Sequence, residues 1–244
     1  MAGTGNRGVI KRAINPKEAF AAIRRLFDNP DDTAQVFVII RALTGDSFER
    51  LFQRTLADPE GRRVLETRDD LIRVLEDRER LHSMPIGSLG RTYVEFVERE
   101  HITASGLVDA SDQHIEESVF LDPRAKKLSD RLRDAHDIWH VVTGYGRDLL
   151  GEGSLLAFTC AQIRNPGVAF IVLAGVGKLY ANGHKDAPRL FWQGFRRGLK
   201  ARNMTAADWE GLLERPLDEI RAELHIDAPP VYEPVFSEAA AALR

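Results

Sequence analysis

The chain has 244 residues, of which 43% are hydrophobic and 29% charged, a composition that is typical of a folded globular protein and excludes a disordered one. Its net charge of −3 does not favour nucleic acid as a partner, because surfaces that bind nucleic acid are strongly basic. The single cysteine, Cys160, excludes an internal disulfide and is typical of a reducing compartment.

The charge is unevenly distributed along the chain. Residues 1–25 hold six lysines and arginines against one acid, and residues 185–202 hold six against one. Residues 208–244 hold nine acids against three arginines. Two basic segments on a nearly neutral protein favour contact with anionic lipid headgroups or an acidic partner. The alternative is ordinary solvated surface charge.

The sequence has no segment typical of secretion or of membrane spanning. Its basic N-terminus lacks the apolar run of a signal peptide. The longest nearly apolar stretch, from Gly167 to Gly177, is much shorter than the ~20 residues that cross a bilayer. We therefore expect any membrane contact to be peripheral.

Apolar residues recur at helical spacing along most of the chain, and the alternation typical of strands is scarce. Pro16 suits the first turn of a helix, and the Asn29–Pro30 pair ends that helix. Asp31 or Asp32 is positioned to cap the next helix, which ends at Gly45. The predicted helices cover about 16–27, 36–43, 47–57, 59–66, 69–81, 89–100, 126–143, 148–163, 167–182 and 186–202, with two weak helices after residue 208.

These elements predict an all-α fold consisting of one multi-helix domain over residues 1–244. Residues 1–25 form a basic N-terminal segment and residues 228–244 an extended tail. The polar, mixed residues 101–124 are predicted to form a long ordered loop. As an alternative, the first ~80 residues form a semi-independent bundle, since ~80 residues are enough for a small domain.

The candidate chemistry begins on the predicted helix 126–143. When Leu128 is set at zero and each residue advances by 100°, His136 and His140 lie at about 80° and 120°, and Asp137 lies near 180°. A pair of histidines at positions i and i+4 presents two nitrogens to one metal ion. The two imidazoles lie beside the apolar seam of this helix, which consists of Leu128, Leu132, Ala135, Trp139 and Val142.

The next helix supplies a carboxylate. After the break at Gly144-Tyr145-Gly146 the chain can reverse, so that helix 148–163 packs back against helix 126–143. Glu152 lies on the apolar face of that second helix, and an unpaired charge buried on such a face is energetically expensive. An ion held by two histidines on the neighbouring helix satisfies this charge.

The sequence therefore predicts one metal ion held by His136, Asp137, His140 and Glu152 between two adjacent antiparallel helices. Asp137 has an alternative role as a hydrogen-bond acceptor behind the ligands or as a base on a metal-bound water. The pattern differs from the metalloprotease signature His-Glu-x-x-His, because Asp137 stands where that signature has glutamate. Peptide hydrolysis is therefore not favoured.

The string His136-Asp137-Ile138-Trp139-His140, followed after eleven residues by Glu152, resembles the metal-binding signature H-D-x-x-H-(x11)-E of the Coq4 family of ubiquinone-biosynthesis proteins. The resemblance extends over about residues 25–225 and includes two further segments, which are Gly87-Ser88-Leu89-Gly90-Arg91 with Tyr93 and Phe96, and Leu150-Gly151-Glu152. It implies metal ligands at the four signature positions. We expect the protein to have no mitochondrial presequence of the kind found in eukaryotic members, so the resemblance implies a bacterial relative in the cytoplasm, at the inner face of the membrane.

The resemblance implies a metal-dependent oxidative decarboxylase in ubiquinone biosynthesis. Such an enzyme removes the C1 carboxyl of a polyprenylated 4-hydroxybenzoate and replaces it with hydroxyl, and its four metal ligands also serve as the catalytic residues. Zinc is the expected ion, with iron, manganese or cobalt as alternatives. The implied partners are the prenylated aromatic acid, other ubiquinone-biosynthesis proteins, the membrane surface and a second copy of the chain in a homodimer. The alternatives are a non-catalytic prenyl-lipid-binding scaffold with a structural metal, and metal-dependent hydrolysis of a phosphorylated prenyl compound.

A prenyl tail needs a long apolar groove. The segment Gly167–Tyr180 is apolar on nearly every face and contains several small residues, which permit close approach of a chain or a helix. Burial of this segment in the core is the alternative. Arg91 or Arg147 is a candidate partner for the substrate carboxylate through a guanidinium fork, and the alternative for both is an ordinary surface arginine.

Overall fold

A computed structural model describes residues 7–30, 32–102 and 119–236. Its helices are α1 (Pro16–Asp28), α2 (Ala34–Leu43), α3 (Ser47–Ala57), α4 (Pro59–Thr67), α5 (Leu71–Glu76), α6 (Arg78–Ser83), α7 (Leu89–Arg99), α8 (Pro123–Asp134), α9 (His136–Thr143), α10 (Leu149–Ile163), α11 (Pro166–Ala181), α12 (Ala187–Lys200), α13 (Trp209–Leu212) and α14 (Leu217–Glu223), with a 3-10 turn at Met204–Ala206. The β-pairing found within the described ranges consists of isolated bridges. The predicted all-α class is confirmed.

Helix starts follow simple local chemistry. Each of the four helices α1, α4, α8 and α11 begins at a proline that directly follows an Asp or Asn cap. Proline has no N–H to lose in the first turn and has its φ already set for a helix. The side-chain oxygen of the Asp or Asn before the proline accepts a hydrogen bond from an otherwise unpaired backbone N–H of that turn. The four pairs are Asn15–Pro16, Asp58–Pro59, Asp122–Pro123 and Asn165–Pro166.

Three predicted boundaries are wrong. The helix predicted over 69–81 is two short helices that meet at Asp77, whose side chain caps the second. The helix predicted over 126–143 starts earlier, at Pro123, and is divided into two helices at Ala135. At Ala135 ψ is −4°, and the backbone N–H donates to the carbonyl oxygens of both Arg131 and Arg133. The cap of α2 is Thr33 rather than Asp32, and Asp31 lies outside the described residues.

The loop predicted over 101–124 lies largely outside the described residues, and its last two positions are helical. Near the end of this predicted loop, Phe120 forms an antiparallel β-bridge with Val9 of the N-terminal segment. The predicted extended tail is helix-free from 228 to 236, and the rest of it is not described.

Helix α10 lies at the centre of one half of the molecule. Helix α12 packs along one of its sides, because Gly194 and Gly198 allow the two backbones to approach closely. A Cβ atom at Gly194 would lie 2.3 Å from the Ser154 carbonyl oxygen, and one at Gly198 would lie 2.4 Å from that of Phe158. Helix α11 packs on another side of α10, and α1 and α2 pack against α11.

The other half is built around α9, which contacts α7, α8, α10 and α14. Its buried side chains Ile138, Trp139 and Val142 belong to the largest apolar cluster of the structure. No helix within the described ranges combines the length and apolarity needed to cross a bilayer.

We predict that Gly194→Ala destabilises the protein, because the added methyl group overlaps the Ser154 backbone and forces α10 and α12 apart. The expected loss is about 1–3 kcal/mol of unfolding free energy, measured by urea denaturation. The matched control is Gly177→Ala on α11, where a Cβ meets nothing within 4 Å; the gain in helix propensity there should stabilise the protein by about 0.5–1 kcal/mol. Equal effects at both positions would contradict the packing described for α12.

Candidate metal centre

The candidate ligands lie on two helices joined by a short loop. Helix α9 carries His136, Asp137 and His140, and it ends at Gly144, whose φ of +76° is a left-handed conformation that glycine adopts without strain. Asp148 caps α10 by accepting the N–H groups of residues 150 and 151. Since α10 starts there, Glu152 lies in its first turn and faces α9.

The two imidazoles and the Glu152 carboxylate meet at close range. The Nε2 atoms of His136 and His140 are 3.2 Å apart. Glu152 places Oε1 3.4 Å from Nε2 of His140 and Oε2 3.6 Å from Nε2 of His136. The predicted convergence of two histidines and a glutamate across adjacent helices is therefore present in the fold.

The orientation of His140 is fixed by the backbone. Its Nδ1 lies 2.9 Å from the Tyr145 carbonyl oxygen, and because a carbonyl only accepts, Nδ1 is the protonated nitrogen. In the neutral ring, Nε2 then carries the lone pair and faces His136 and Glu152. The ring also stacks on Phe96 at a centroid distance of 5.7 Å. A hydrogen bond from the second ring nitrogen is the usual way in which a protein orients a metal-binding histidine.

The spacing of these atoms suits a divalent ion. An ion with bonds of about 2.1 Å separates neighbouring ligand atoms by roughly 3.0 Å in an octahedral shell and by roughly 3.4 Å in a tetrahedral one. The observed separations of 3.2, 3.4 and 3.6 Å are close to these values. Two nitrogens and a carboxylate are also donors that zinc and neighbouring transition metals accept. The residues present therefore fit a metal ion.

The charges of the centre are coupled. Burial opposes the charged form of His140, but the nearby carboxylates of Glu152 and Asp137 outweigh it and raise the pKa of His140 above its ordinary value. Burial likewise opposes the charged form of Glu152, but the two histidines hold the pKa of Glu152 well below its ordinary range. A metal ion needs the lone pair on Nε2 of His140, so metal binding competes with protonation of that nitrogen.

Asp137 is brought to the same place. The ligand atoms of His136, Asp137 and His140 all lie within 4.8 Å of one another, and this group is able to hold a metal ion. Asp137 is buried, although its angle on an ideal helix places it farthest from the apolar seam. Helices α7, α8, α10 and α14 all pack against the short helix α9, and every residue of α9 from Asp137 onward is buried. Direct ligation by Asp137 and a supporting role both stay predictions.

A cavity of about 1430 Å³ is lined by three of the four candidate ligands, His136, Asp137 and Glu152. Much of the rest of its wall is apolar. Helices α1, α2, α10 and α11 contribute to this apolar part, with the lining side chains Leu26, Phe27, Val36, Ile40, Leu156, Ile171, Val172 and Leu179. The volume exceeds the roughly 300–1,000 Å³ typical of pockets for small molecules.

The two arginines that the sequence nominated have different surroundings. Arg147 lines the cavity and places Nε 3.6 Å from Oε1 of Glu152. Arg91 instead pairs with Glu95 at 2.7 Å and donates to the carbonyl of His82, and it does not line the cavity. Arg91 is therefore no longer a candidate for substrate recognition.

Sequence reasoning missed the groups that hold the ligands in place, namely the Tyr145 carbonyl, Asp148 and Tyr232. Asp148 had a readable signal, since it directly precedes an apolar helical run and is a good N-cap residue. No sequence signal pointed to Tyr232, because its hydroxyl bonds Asp148, a residue 84 positions earlier in the chain. A backbone carbonyl leaves no trace in a sequence pattern.

Comparison with known proteins identifies a family match over most of the chain. The model of the family described as "Coenzyme Q (ubiquinone) biosynthesis protein Coq4" matches residues 16–230. A protein of Aspergillus clavatus named "Ubiquinone biosynthesis protein coq4, mitochondrial" is 31% identical over 181 residues, which cover 74% of this chain and 61% of that protein. A protein of Scheffersomyces stipitis with the same description is 29% identical over 189 residues, covering 74% of this chain and 55% of that protein. The chain thus spans less than two thirds of the length of these relatives.

The fold also has a counterpart among solved structures. A crystal structure of a Nostoc punctiforme protein aligns with a TM-score of 0.62 at 20% identity and covers 88% of this chain and 100% of that one. At this identity the likeness concerns the fold alone.

We predict that His140→Ala abolishes metal binding, because it removes the buried nitrogen that faces both His136 and Glu152. Metal analysis of the purified chain after gel filtration should fall from about one ion per chain to below about a tenth. The matched control is His82→Ala, whose ring pairs with Glu98 at the surface and whose loss should leave the metal content unchanged. An undiminished metal content in folded His140→Ala would refute the site.

Proposed function

The chain belongs to the Coq4 family of coenzyme Q biosynthesis proteins, and from this premise we propose that it acts in ubiquinone biosynthesis as a metal-dependent oxidative decarboxylase. Its substrate is a polyprenylated 4-hydroxybenzoate, which loses the C1 carboxyl and gains a hydroxyl at that carbon. The observation that carries the proposal is that three of the metal-fitting donors, His136, Asp137 and Glu152, line a large, mainly apolar cavity. A lipid with a polar aromatic head requires this combination.

The apolar part of the cavity suits a prenyl tail. Helix α11 contributes lining side chains from Val168 to Leu179, a distance of about 17 Å at 1.5 Å per residue. The helix divides its faces, since Ile171 and Gly175 line the cavity whereas Leu173 is exposed. Burial in the core is therefore not the sole role available to this apolar segment, and the cavity supports the proposal that it accommodates lipid.

The polar end suits the aromatic head. Arg147 lines the cavity beside Glu152, and a guanidinium is a good partner for a carboxylate because it offers parallel N–H donors. We assign Arg147 to the substrate carboxylate. When a metal ion compensates the carboxylate of Glu152, the guanidinium of Arg147 is available to pair with the substrate carboxylate.

His136, Asp137, His140 and Glu152 would hold the ion and are the proposed catalytic residues. A bound divalent ion supplies Lewis acidity, which stabilises negative charge on a substrate oxygen. Replacement of the carboxyl by a hydroxyl from water yields carbon dioxide, two protons and two electrons, so a two-electron acceptor must take part. Zinc is our first choice for the ion, with iron, manganese or cobalt as alternatives. Since zinc has no redox chemistry, the acceptor must then be a separate molecule.

The residues of the chain contribute orientation and exclusion of water. The apolar walls keep water away from the tail and the ring, so that electrostatic interactions at the polar end are stronger than in bulk solvent. The Tyr145 carbonyl holds the His140 tautomer, and Arg147 directs the substrate carboxylate toward the ligands.

A second function is favoured by the number of donors. Two histidines and two carboxylates could complete a four-coordinate shell, which is typical of structural metal sites. In that case the protein is a prenyl-lipid-binding scaffold that organises other ubiquinone-biosynthesis enzymes. The same cavity serves both functions, so only turnover distinguishes them.

The other expectations remain proposals. Exposed aromatic residues on α1 and α12, Phe20 and Trp192, lie in or beside basic segments of the sequence, which supports peripheral contact with an anionic membrane surface. Association with other biosynthetic proteins, a homodimeric state and a location at the inner face of a bacterial membrane stay predictions.

We predict that the metal-loaded chain releases carbon dioxide from a carboxyl-labelled polyprenyl 4-hydroxybenzoate when a two-electron acceptor is added. Labelled carbon dioxide should appear in a one-to-one ratio with the ring-hydroxylated product, as measured by mass spectrometry. Chelation should abolish the release and restored metal should recover it. Tight lipid binding without turnover, at full metal loading and with several acceptors, would favour the scaffold.

We also predict that Gly175→Leu shortens the tail that the cavity accepts. A Cβ at this lining position lies 3.6 Å from the ring of Phe191, so a leucine side chain has room to form but takes up cavity space. The Kd for a long-chain substrate should rise about tenfold or more, corresponding to about 1.4 kcal/mol or more, whereas a short-chain analogue should bind unchanged. The control is Gly177→Leu on the same helix, where a Cβ contacts nothing within 4 Å. Equal loss for both tail lengths would contradict the assignment.

A further inference from the structure

Residues 228–236 lie a few positions after α14, have no helical structure, and contact the loop that joins the two ligand helices. We refer to this segment as the C-terminal strap. Two of its residues, Val235 and Phe236, line the cavity. The strap therefore lies against the same end of the molecule as the candidate metal centre, although no residue of it belongs to the predicted ligand set.

The strap is joined to the loop by hydrogen bonds that meet at Asp148. The hydroxyl of Tyr232 donates to Oδ2 of Asp148 at 2.8 Å and accepts the N–H of Gly146 at 2.9 Å. The N–H of Val235 donates to Oδ1 of Asp148 at 3.0 Å. Asp148 is buried, so its carboxylate depends on these donors rather than on water.

The same carboxylate sets the start of α10. Oδ1 of Asp148 also accepts the N–H groups of Leu150 and Gly151, at 3.1 and 3.2 Å. Glu152 is the next residue along the helix. A small rotation of the Asp148 side chain would therefore be transmitted to the first turn of α10 and to the Glu152 carboxylate.

The loop connects equally to the other ligand helix. Tyr145 lies between Gly144 and Gly146, and its carbonyl accepts Nδ1–H of His140 at 2.9 Å. The rings of Tyr145 and Tyr232 lie 6.5 Å apart. Tyr232 thus hydrogen-bonds the loop at two points, at Gly146 beside the residue that orients His140 and at Asp148, which caps the helix of Glu152.

The strap has little freedom to shift. A Cβ at Gly151 would lie 2.5 Å from the Tyr232 hydroxyl oxygen, and one at Gly144 would lie 2.5 Å from Cβ of Pro229. The buried Arg197 holds the point where the strap begins, since its Nη2 donates to the carbonyls of Asp227 at 2.8 Å and Ala228 at 3.4 Å, and also to that of Thr143 at 2.9 Å. The glycines at positions 144 and 151 thus leave just enough room for the strap to pack against the loop.

We propose that Tyr232 is a positioning residue for the metal centre. Through Asp148 and the N–H of Gly146 it fixes the loop 144–148, and the loop in turn sets the hydrogen bond of His140 and the carboxylate of Glu152. This inference rests on the proposed metal centre and deepens it. It is not a restatement of helix capping, because Asp148 caps α10 through Oδ1 while Tyr232 binds Oδ2.

The test is a titration of the metal-free, full-length chain with cobalt(II) alone, followed by its visible absorption. Tyr232→Phe removes one hydroxyl and keeps the ring beside Tyr145. We expect its cobalt Kd to rise about 10- to 100-fold, the range found when a group behind a metal ligand is removed, with a changed absorption spectrum. The control, Tyr180→Phe, alters an exposed tyrosine of α11 and should leave both the Kd and the spectrum unchanged.

A second variant separates positioning from folding. Asp148→Asn retains a good N-cap residue, but its amide no longer presents two acceptor oxygens to the strap, so it should weaken cobalt binding to a similar extent. The double variant Tyr232→Phe/Asp148→Asn should bind no worse than Asp148→Asn alone, because both changes break one linkage.

Each outcome of the titration decides the matter. Unchanged Kd and spectrum in Tyr232→Phe, or a lowered Tm with an unchanged spectrum of the folded protein, would overturn the positioning role and leave the metal centre intact. A wild-type chain that binds no cobalt would overturn both. A chain that binds cobalt as expected, responds to both variants and releases no carbon dioxide would support the positioning role while refuting the decarboxylase.

Discussion

Two imidazole nitrogens 3.2 Å apart and a carboxylate within 3.6 Å of both form an arrangement that a shared proton or cation stabilises. In the neutral ring of His140, Nε2 carries a lone pair, which accepts a hydrogen bond from His136 or binds an ion. A carboxylate in a partly buried site is costly unless it is compensated, and Glu152 has both histidines and Arg147 beside it. Although burial opposes both charged forms, the pKa of His140 is raised and the pKa of Glu152 is lowered, because each group stabilises the charge of the other. Much of the surrounding structure serves to keep the three groups together.

Helix α10 contributes most to keeping the three groups together, because each of its faces packs against a different partner. Glu152 faces α9, Leu156 lines the cavity, and Ser154 and Phe158 lie against the glycines of α12. A helix with apolar neighbours on several sides has no free face along which to slide or rotate. Close packing with α12 therefore fixes the position of Glu152 as effectively as the contact with the histidines does. Packing and the candidate chemistry are coupled through this one element.

The sequence predicted those parts of the site that follow from local periodicity. The spacing of His136 and His140 and the position of Glu152 after the glycine break survive in the structure, because each depends on only one or two helical turns. The division of the helix at Ala135 was not predictable, since alanine is the best helix former and the break depends on packing around it. The burial of Asp137 was missed for the same reason. The role of Tyr232 and the strap depends on contacts between residues more than 80 positions apart in sequence, and helical periodicity does not predict such contacts.

The asymmetry of the centre bears on whether a metal there has a chemical or a structural role. The side chain of His140 is fully buried, and the ring of Phe96 stacks on it. The side chains of His136 and Glu152 retain 28% and 31% exposure and line the cavity. Three of the four candidate ligands, His136, Asp137 and Glu152, thus border a space large enough for a ligand, whereas His140 is enclosed by protein. A structural ion is normally enclosed by its protein ligands, whereas a catalytic ion keeps a position open toward the substrate. The exposure of His136 and Glu152 at the cavity wall therefore suits the proposed catalytic role, whereas complete enclosure of an ion by four protein ligands would suit the structural one.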